Sequence, residues 1–263
     1  MAKLTGAQKD MYEHFSGVAV LYNNLRTTDL EPIMFIKDML DGNDNIAAAD
    51  IGCGAGRYSL QFLRHLGIHH LACIDINELM LKQVSSILGA AGLTNFSTIE
   101  STAEHIPLVD NSIDFIFAFN AIHHFDFAAF MQEAARIVRD GGSIIIYTRL
   151  GSQNAGNIWG RYFPLFLAKE SRLYEMDGLE RMIRLVPTLN IQCVKQFRYL
   201  RTASLGQLVN LARNSHYSTL SLYQKEEFAS ALKGFQRNIT RHFSDPEHVE
   251  WFDDYTMLVV SRR

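Results

Sequence analysis

Apolar positions in the first half of the chain come in short blocks separated by amphipathic stretches. Ile46–Ile51, His70–Asp75, Phe96–Glu100, Ile113–Phe119 and Ser143–Thr148 are runs of five to seven mostly apolar residues, the pattern of strands covered on both faces. Between them, apolar side chains recur three and four positions apart over Tyr58–Leu66, Glu78–Ala91 and Phe127–Arg139, which predicts helices. Asn77 stands where the second of these needs an N-cap. Gly141-Gly142 is suited to stop the third and turn the chain into the fifth strand. Strand and helix in alternation predict βαβ units, hence an α/β, doubly wound, mostly parallel sheet.

The rhythm changes after Leu150. "GSQNAGNIWGRYFPLF" reads as a loop, a helix is expected near Leu179–Leu185, and "IQCVKQFRYLRT" is strand-like. Ser204–Phe243 reads as helical throughout, and "YTMLVVSRR" as a last strand. A helical block between two strand-like runs is an insertion, expected over one edge of the sheet. The organisation expected is one domain over 1–263: N-terminal cap helices in 1–42, a ligand-binding core in 46–150, lid insertions in 151–190 and 204–243, and a closing strand in 254–263. No repeat, low-complexity segment or linker interrupts it.

Composition narrows the function without naming it. A chain of 263 residues, 48% hydrophobic and 20% charged, is an ordinary globule. A formal charge of -3, with no cluster of Lys and Arg, disfavours a polynucleotide surface. Cys53, Cys73 and Cys193 form no C-x-x-C pair, which reads as a reduced, cytoplasmic protein without a thiolate zinc site. No uninterrupted apolar run approaches membrane-spanning length. Oligomeric state is not legible.

The chemistry concentrates in "AAADIGCGAGRYSLQF", where Gly52, Gly54 and Gly56 fall between the first strand and the first helix of the core. A glycine turn at the carboxyl end of the first strand is where doubly wound sheets bind nucleotide-like ligands, because the main chain must approach the ligand closely. The dinucleotide fingerprint is G-x-G-x-x-G. Here Arg57 occupies the third glycine's place, so a nicotinamide or flavin cofactor fits poorly. Asp75 ends the second strand about 20 residues on, where a carboxylate can accept ribose hydroxyls.

"DIGCGAG" followed by "CIDIN" resembles the first two motifs of the class I S-adenosylmethionine-dependent methyltransferases. "STAEHIPLVDNSIDFIFAFNAIHHF" and "EAARIVRDGGSIII" look like the later motifs of the small-molecule branch that contains ubiquinone- and menaquinone-biosynthesis enzymes. The resemblance covers roughly Ala47 to Tyr147. It implies a Rossmann-like, seven-stranded sheet with a helical lid, S-adenosylmethionine as cofactor and a small organic methyl acceptor. Carried over residue by residue, it implies that Asp50, Gly52, Gly54 and Gly56 lie under the methionine part, with Asp50 near its amino group. Asp75 would hold the ribose, Ile76 and Met80 would cover the adenine, and Thr102 and Ala103 would meet its edge, Thr102 departing from the family's usual Asp. Asn120 and Ala121 would border the sulfonium. "FSGVAVLYNNLRTTD" resembles the family's entry segment, with Tyr22 or Arg26 near the cofactor's carboxylate.

Methyl transfer from a sulfonium is an in-line displacement, so the protein's work is alignment and exclusion of water. Where the acceptor must lose a proton, a histidine tuned near neutrality suits the role of base. His123 and His124, just past the fourth strand, are the candidates, and adjacent residues are expected to point different ways, one at most toward the ligand. His69-His70 reads as surface. The spacing of His123, His124 and Asp126 matches no metal site. Trp159, Tyr162, Phe163 and Phe166 read as a packed lid.

The segment "NAIHHF" lacks the prolines of amino-methylating nucleic-acid enzymes and the paired glutamates of protein-arginine enzymes. A methyltransferase acting on oxygen, carbon or nitrogen of a small molecule is therefore the leading expectation. A protein that binds the cofactor without turnover, and a nicotinamide-dependent oxidoreductase, are the alternatives.

Overall fold

A computed structural model of the chain describes residues 6–19, 26–40 and 45–263. Helices α1 (Gly6–Val18) and α2 (Glu31–Leu40) precede the core. The core alternates β1 (Ile46–Ile51), α3 (Arg57–His65), β2 (Ile68–Asp75), α4 (Glu78–Ala90), β3 (Phe96–Glu100), β4 (Ile113–Phe119), a 3₁₀ turn at Ile122–His124, α5 (Phe127–Ile137) and β5 (Val138–Thr148). Three short helices follow, α6 (Gly151–Gly156), α7 (Ile158–Tyr162) and α8 (Phe166–Lys169), then α9 (Met176–Arg184) and β6 (Leu189–Ala203). The chain closes with α10 (Leu205–Arg213), a 3₁₀ turn at Ser218–Leu222, α11 (Lys225–His242) and β7 (Val249–Arg262).

The seven strands form one sheet in the order β3-β2-β1-β4-β5-β7-β6. β1 pairs in parallel with β2 and β4, and the parallel ladder extends to β3 and β5. β7 runs antiparallel to both β5 and β6, so the sheet is mostly parallel with one reversed strand. Strand order reverses between β1 and β4, which opens a crevice beyond their carboxyl ends, where ligands of such sheets bind.

Alternation along the strands builds two cores. On one face Ile116, Ala118, Ile144 and Ile146 pack against Phe130, Met131 and Ala134 of α5 and Leu179 and Ile183 of α9. On the other, Phe117, Phe119, Ile145 and Tyr147 meet α2, α3 and α4. Phe62 of α3 stacks on Phe117 with centroids 4.2 Å apart, fully buried. Truncating a ring so placed costs about 3–5 kcal/mol. A third core ties α7, α8, α10 and α11 to Val249 at the far end of the antiparallel β6–β7 pair.

Several boundaries differ from expectation, each for a physical reason. The loop expected after Leu150 is three short helices, the second capped by Asn157, whose Oδ1 accepts from the N–H groups of Trp159 and Gly160 at 2.9 Å. The last strand begins at Val249 rather than 254, because Glu250–Asp254 pair with Thr202–Arg198 in a two-stranded arm exposed enough to carry charges. Ser204–Phe243 is broken between Arg213 and Lys225, and it caps the end of that arm rather than the sheet's edge. α5 ends at Ile137, before the two glycines, which lie inside β5.

Candidate functional site

The turn after β1 is shaped by hydrogen bonds to β2. Gly52 and Cys53 donate their N–H groups to Ile74 O at 2.8 and 3.1 Å, which curls the main chain toward the second strand. Gly52 has φ +68°, and a Cβ there would stand 2.6 Å from Ala121 Cβ and 2.9 Å from the Phe125 ring, so only glycine fits. Gly56, φ +80°, has a different duty. Its hydrogen side faces the backbone of Val84, 3.2 Å from where a Cβ would stand, and lets α3 start against α4.

Asp75 closes this turn. Its Oδ2 accepts from Gly54 N and its Oδ1 from Asn77 N, both at 2.9 Å. Asn77 Oδ1 in turn caps α4 on Met80 N at 3.1 Å, and its Nδ2 donates to Tyr12 O and Ser16 Oγ of α1, at 2.9 Å each. The carboxylate is thus oriented by backbone while each oxygen keeps acceptor capacity. Burial pushes the Asp75 carboxyl up, against hydrogen bonds from Asn77, Gly54 and Ile76.

A cavity of about 550 Å³ opens beyond these strand ends. Among the residues expected in the site, Gly52, Gly54, Asp75, Ile76, Met80 and Thr102 line it. So do Ala103, Asn120, Ala121, His123, His124 and Arg26. Asn120 adopts φ +54°, and its N–H is held by Tyr147 O at 2.7 Å. Thr102 Oγ1 is buried without a hydrogen-bond partner. Tyr22 lies outside the described residues.

Asp50 and Gly56 do not line the cavity. The Asp50 carboxyl is buried behind the turn and accepts from Ser59 Oγ at 2.6 Å. Burial raises its pKa to about 7, opposed by the Ser59 hydrogen bond and reinforced by Asp75. A group this enclosed supports the turn through Ser59 and does not line the cavity.

The histidines also differ from expectation. Both line the cavity, because the 3₁₀ turn at Ile122–His124 aims consecutive side chains at the same opening, their rings 4.0 Å apart. Neither is tuned near neutrality. Burial, followed by the charges of Arg172 and Arg26, brings His123 down to about 3. Burial and the neighbouring His123 hold His124 well below its usual value. Both rings are neutral at physiological pH, available for hydrogen bonds and weak as proton acceptors. Asp126 caps α5 by accepting from Ala129 N at 3.1 Å.

The helical block with Tyr217 was expected to wall the far half of the cavity, and Tyr217 lines it, but its charged groups were not legible. Arg149, the residue after β5, is 6% exposed and donates Nη1 to Tyr217 Oη at 2.8 Å. Its Nη2 lies 2.8 Å from Asp253 Oδ1, close but not aligned for a hydrogen bond. Arg201 of β6 approaches the same Asp253 at 3.5 Å and holds Asp29 with contacts of 2.7 and 2.9 Å. Glu170 accepts from Arg172 Nε at 2.9 Å and Nη2 at 2.5 Å, and from Thr219 Oγ1. The available signal was a charged residue directly after "SIIIYT", since an arginine at the end of a buried strand must meet a partner or a ligand. Arg57, which breaks the dinucleotide pattern, donates to Thr27 O and so fastens the segment before α2 over the opening.

Comparison with known proteins agrees with this geometry. Residues 49–146 match the family model described as methyltransferase domain. An uncharacterized methyltransferase, YcgJ, of Bacillus subtilis is 32% identical over 98 residues, 37% of this chain and 38% of that protein. The chain covers between 22% and 49% of the length of the first curated relatives it matches. A putative methyltransferase from an antibiotic biosynthesis pathway of Anabaena variabilis has the same fold, with TM-score 0.67, 19% identity and coverage of 91% of this chain and 99% of that one. Geranyl diphosphate C-methyltransferase of Streptomyces coelicolor, in complex with Mg2+, geranyl diphosphate and S-adenosyl-L-homocysteine, superposes with TM-score 0.56 at 10% identity, covering 88% and 78%. The resemblance read from the motifs is found in the stretch that carries them, and the fold is the seven-stranded one of these methyltransferases.

Proposed function

We propose that the chain is an S-adenosylmethionine-dependent methyltransferase acting on oxygen, carbon or nitrogen of a small organic acceptor in the cytoplasm. The observation that carries this reading is the pair formed by the glycine turn and Asp75, whose oxygens are fixed by Gly54 and Asn77 yet keep lone pairs free toward the cavity. A vicinal diol is the partner such a carboxylate takes.

When bound, S-adenosylmethionine supplies a methyl group on a sulfonium, which needs only an aligned nucleophile. Asp75 would hold the ribose, Ile76 and Met80 the faces of the adenine, and Thr102 Oγ1, buried and unpartnered, its edge. Asn120 and Ala121 would border the sulfur, and Arg26 would meet the carboxylate. Asp50 acts through the turn, holding Ser59. His123 and His124, both neutral, would orient the acceptor by hydrogen bonds, and the walls built by α1 and the lid helices keep water out.

Calorimetry with S-adenosylmethionine and S-adenosylhomocysteine tests this. Binding of both that is lost in Asp75→Ala is expected, together with tritium transfer from labelled cofactor to a small-molecule fraction of a cell extract. Absence of binding by either would end the reading. Binding without transfer to any extract would favour a non-catalytic binder.

A further inference from the structure

The half of the cavity beyond the proposed donor site holds its charges in closed sets. Asp29, Arg201, Asp253 and Arg149 form one chain of ion pairs, two guanidiniums to two carboxylates, with successive approaches of 2.7, 3.5 and 2.8 Å. Arg172 and Glu170 form a second set at 2.5 Å, further tied to Ser218 and Thr219. Arg149 is also boxed by rings, its guanidinium carbon 5.4 Å from the centre of Tyr217 and 4.6 Å from that of Tyr255. Arg26, 4.7 Å from the centre of the same Tyr217 ring, is the group assigned above to the donor's carboxylate. An ion entering this half gives up its water and meets charges that already have partners, which is costly. A neutral molecule loses far less.

Aromatic rings make up the other walls. Trp159, His216 and Tyr217 follow one another with centroids 4.8 and 4.2 Å apart. Burial, followed by the charges of Arg26 and Arg149, holds His216 neutral. Trp251 of β7 lines the same half, and its indole Nε1 is buried with no acceptor among the described residues. An indole N–H can only donate, and a buried one ordinarily finds an oxygen. Arg149 Nε is a second buried donor left over here. This half therefore lacks acceptor oxygens and does not lack charge.

We infer that the methyl acceptor is an uncharged, flat, aromatic or conjugated molecule and that Trp251 is its specificity residue, donating Nε1–H to a carbonyl or hydroxyl oxygen of the acceptor, while carboxylates and amidinium or ammonium ions are turned away. This rests on the reading of the adjoining half as a methyl-donor site, but the preference for a neutral oxygen belongs to the far half alone.

Four probes of one phenyl skeleton and similar shape test it: acetophenone, neutral with a carbonyl oxygen; α-methylstyrene, neutral without it; benzoate, an anion; and benzamidinium, a cation. Each is titrated by ligand-observed NMR into the whole chain, with and without saturating S-adenosylhomocysteine. Acetophenone is expected to bind about five-fold or more tighter than each of the others, the scale of one buried donor left unpaired. Trp251→Phe keeps an aromatic ring and removes the N–H. It is expected to bring acetophenone down to the affinity of α-methylstyrene while the two ions stay weak. Trp251 is only partly buried, and circular dichroism establishes that the variant is folded; should it not fold, the parent series decides by itself. Any of the other three probes matching acetophenone in the parent chain, failure of acetophenone to bind, or a carbonyl preference that survives in folded Trp251→Phe would each overturn the inference. Failure of S-adenosylhomocysteine to bind while the acetophenone preference persists would defeat the donor-site reading alone.

Discussion

The main-chain N–H of Gly54 donates to Oδ2 of Asp75 at 2.9 Å, so the end of β1 and the end of β2 are joined by the side chain proposed to hold the ribose. Asp75→Ala removes two backbone hydrogen bonds to a carboxylate along with the ligand's own. Hydrogen bonds to charged groups are worth about 1.5–3 kcal/mol each, so the Kd for S-adenosylhomocysteine should rise roughly 10- to 150-fold. Isothermal calorimetry reads this, with circular dichroism to establish that the variant is folded.

Gly52 and Gly56 both require a left-handed backbone, yet only the first borders the cavity. Alanine at either position should lower stability by about 1–2 kcal/mol from backbone strain alone. Gly52→Ala should also weaken S-adenosylhomocysteine binding, since its methyl group must displace Ala121 or Phe125. Gly56→Ala should leave the Kd of the folded fraction within about two-fold, the range of an effect remote from the ligand. Thermal melts paired with calorimetry separate the two.

The buried Asp50 carboxyl keeps its proton to about pH 7, whereas its unfolded counterpart loses it near 3.8. A raised folded pKa gives stability that is present below about pH 4 and lost as pH rises through about 7. Asp50→Asn cannot ionise. Relative to the parent chain it should gain about 1.4 kcal/mol per pH unit across that window and nothing further above it. Urea midpoints measured from pH 4 to 8 would reveal the divergence, and parallel curves would refute it.

His123 behaves with the opposite sign. It stays neutral to about pH 3 in the folded chain, while an unfolded histidine takes its proton near 6.5. Stability tied to it is therefore lost as pH falls from 6.5. His123→Gln should become progressively more stable than the parent by about 1.4 kcal/mol per unit over that range. The same urea series measures it.

Trp159 stacks on Phe235 with centroids 5.1 Å apart and planes 17° apart, within the third core. Trp159→Ala should cost about 3–5 kcal/mol, as for other buried aromatic truncations. Because the third core holds α10 and α11 to the rest of the chain, native-state hydrogen exchange in them should accelerate while β1–β4 stay protected.

β1, β2, β4 and β5 were legible because their centres are buried on both faces and leave a nearly unbroken apolar signature, β3, half exposed at the sheet's edge, by its place in the strand–helix alternation, and Asn77 because capping is local chemistry. Gly52 and Asp75 were legible because spacing along the chain reports strand ends. The start of β7 was misjudged because Glu250, Asp253 and Asp254 interrupt its apolar pattern, although Asp253 is buried beside Arg149. The motif gives Asp50 a position along the chain and no direction for its side chain, which lies behind the turn against Ser59. Arg149, Glu170 and Asp253 stayed hidden for another reason. They meet only when the lid, the last strands and the end of β5 are folded together, and no local pattern carries that convergence.

Thr27 is gripped by Arg57, which lines the cavity beside the glycine turn, and Asp29, two residues on, by Arg201, which lines its far half. The strap between them is thus pinned to both compartments like a hasp with two staples. Releasing either ligand past it would loosen the hold on its neighbour, so exchange should follow a compulsory order rather than a random one. Product-inhibition patterns would reveal that sequence.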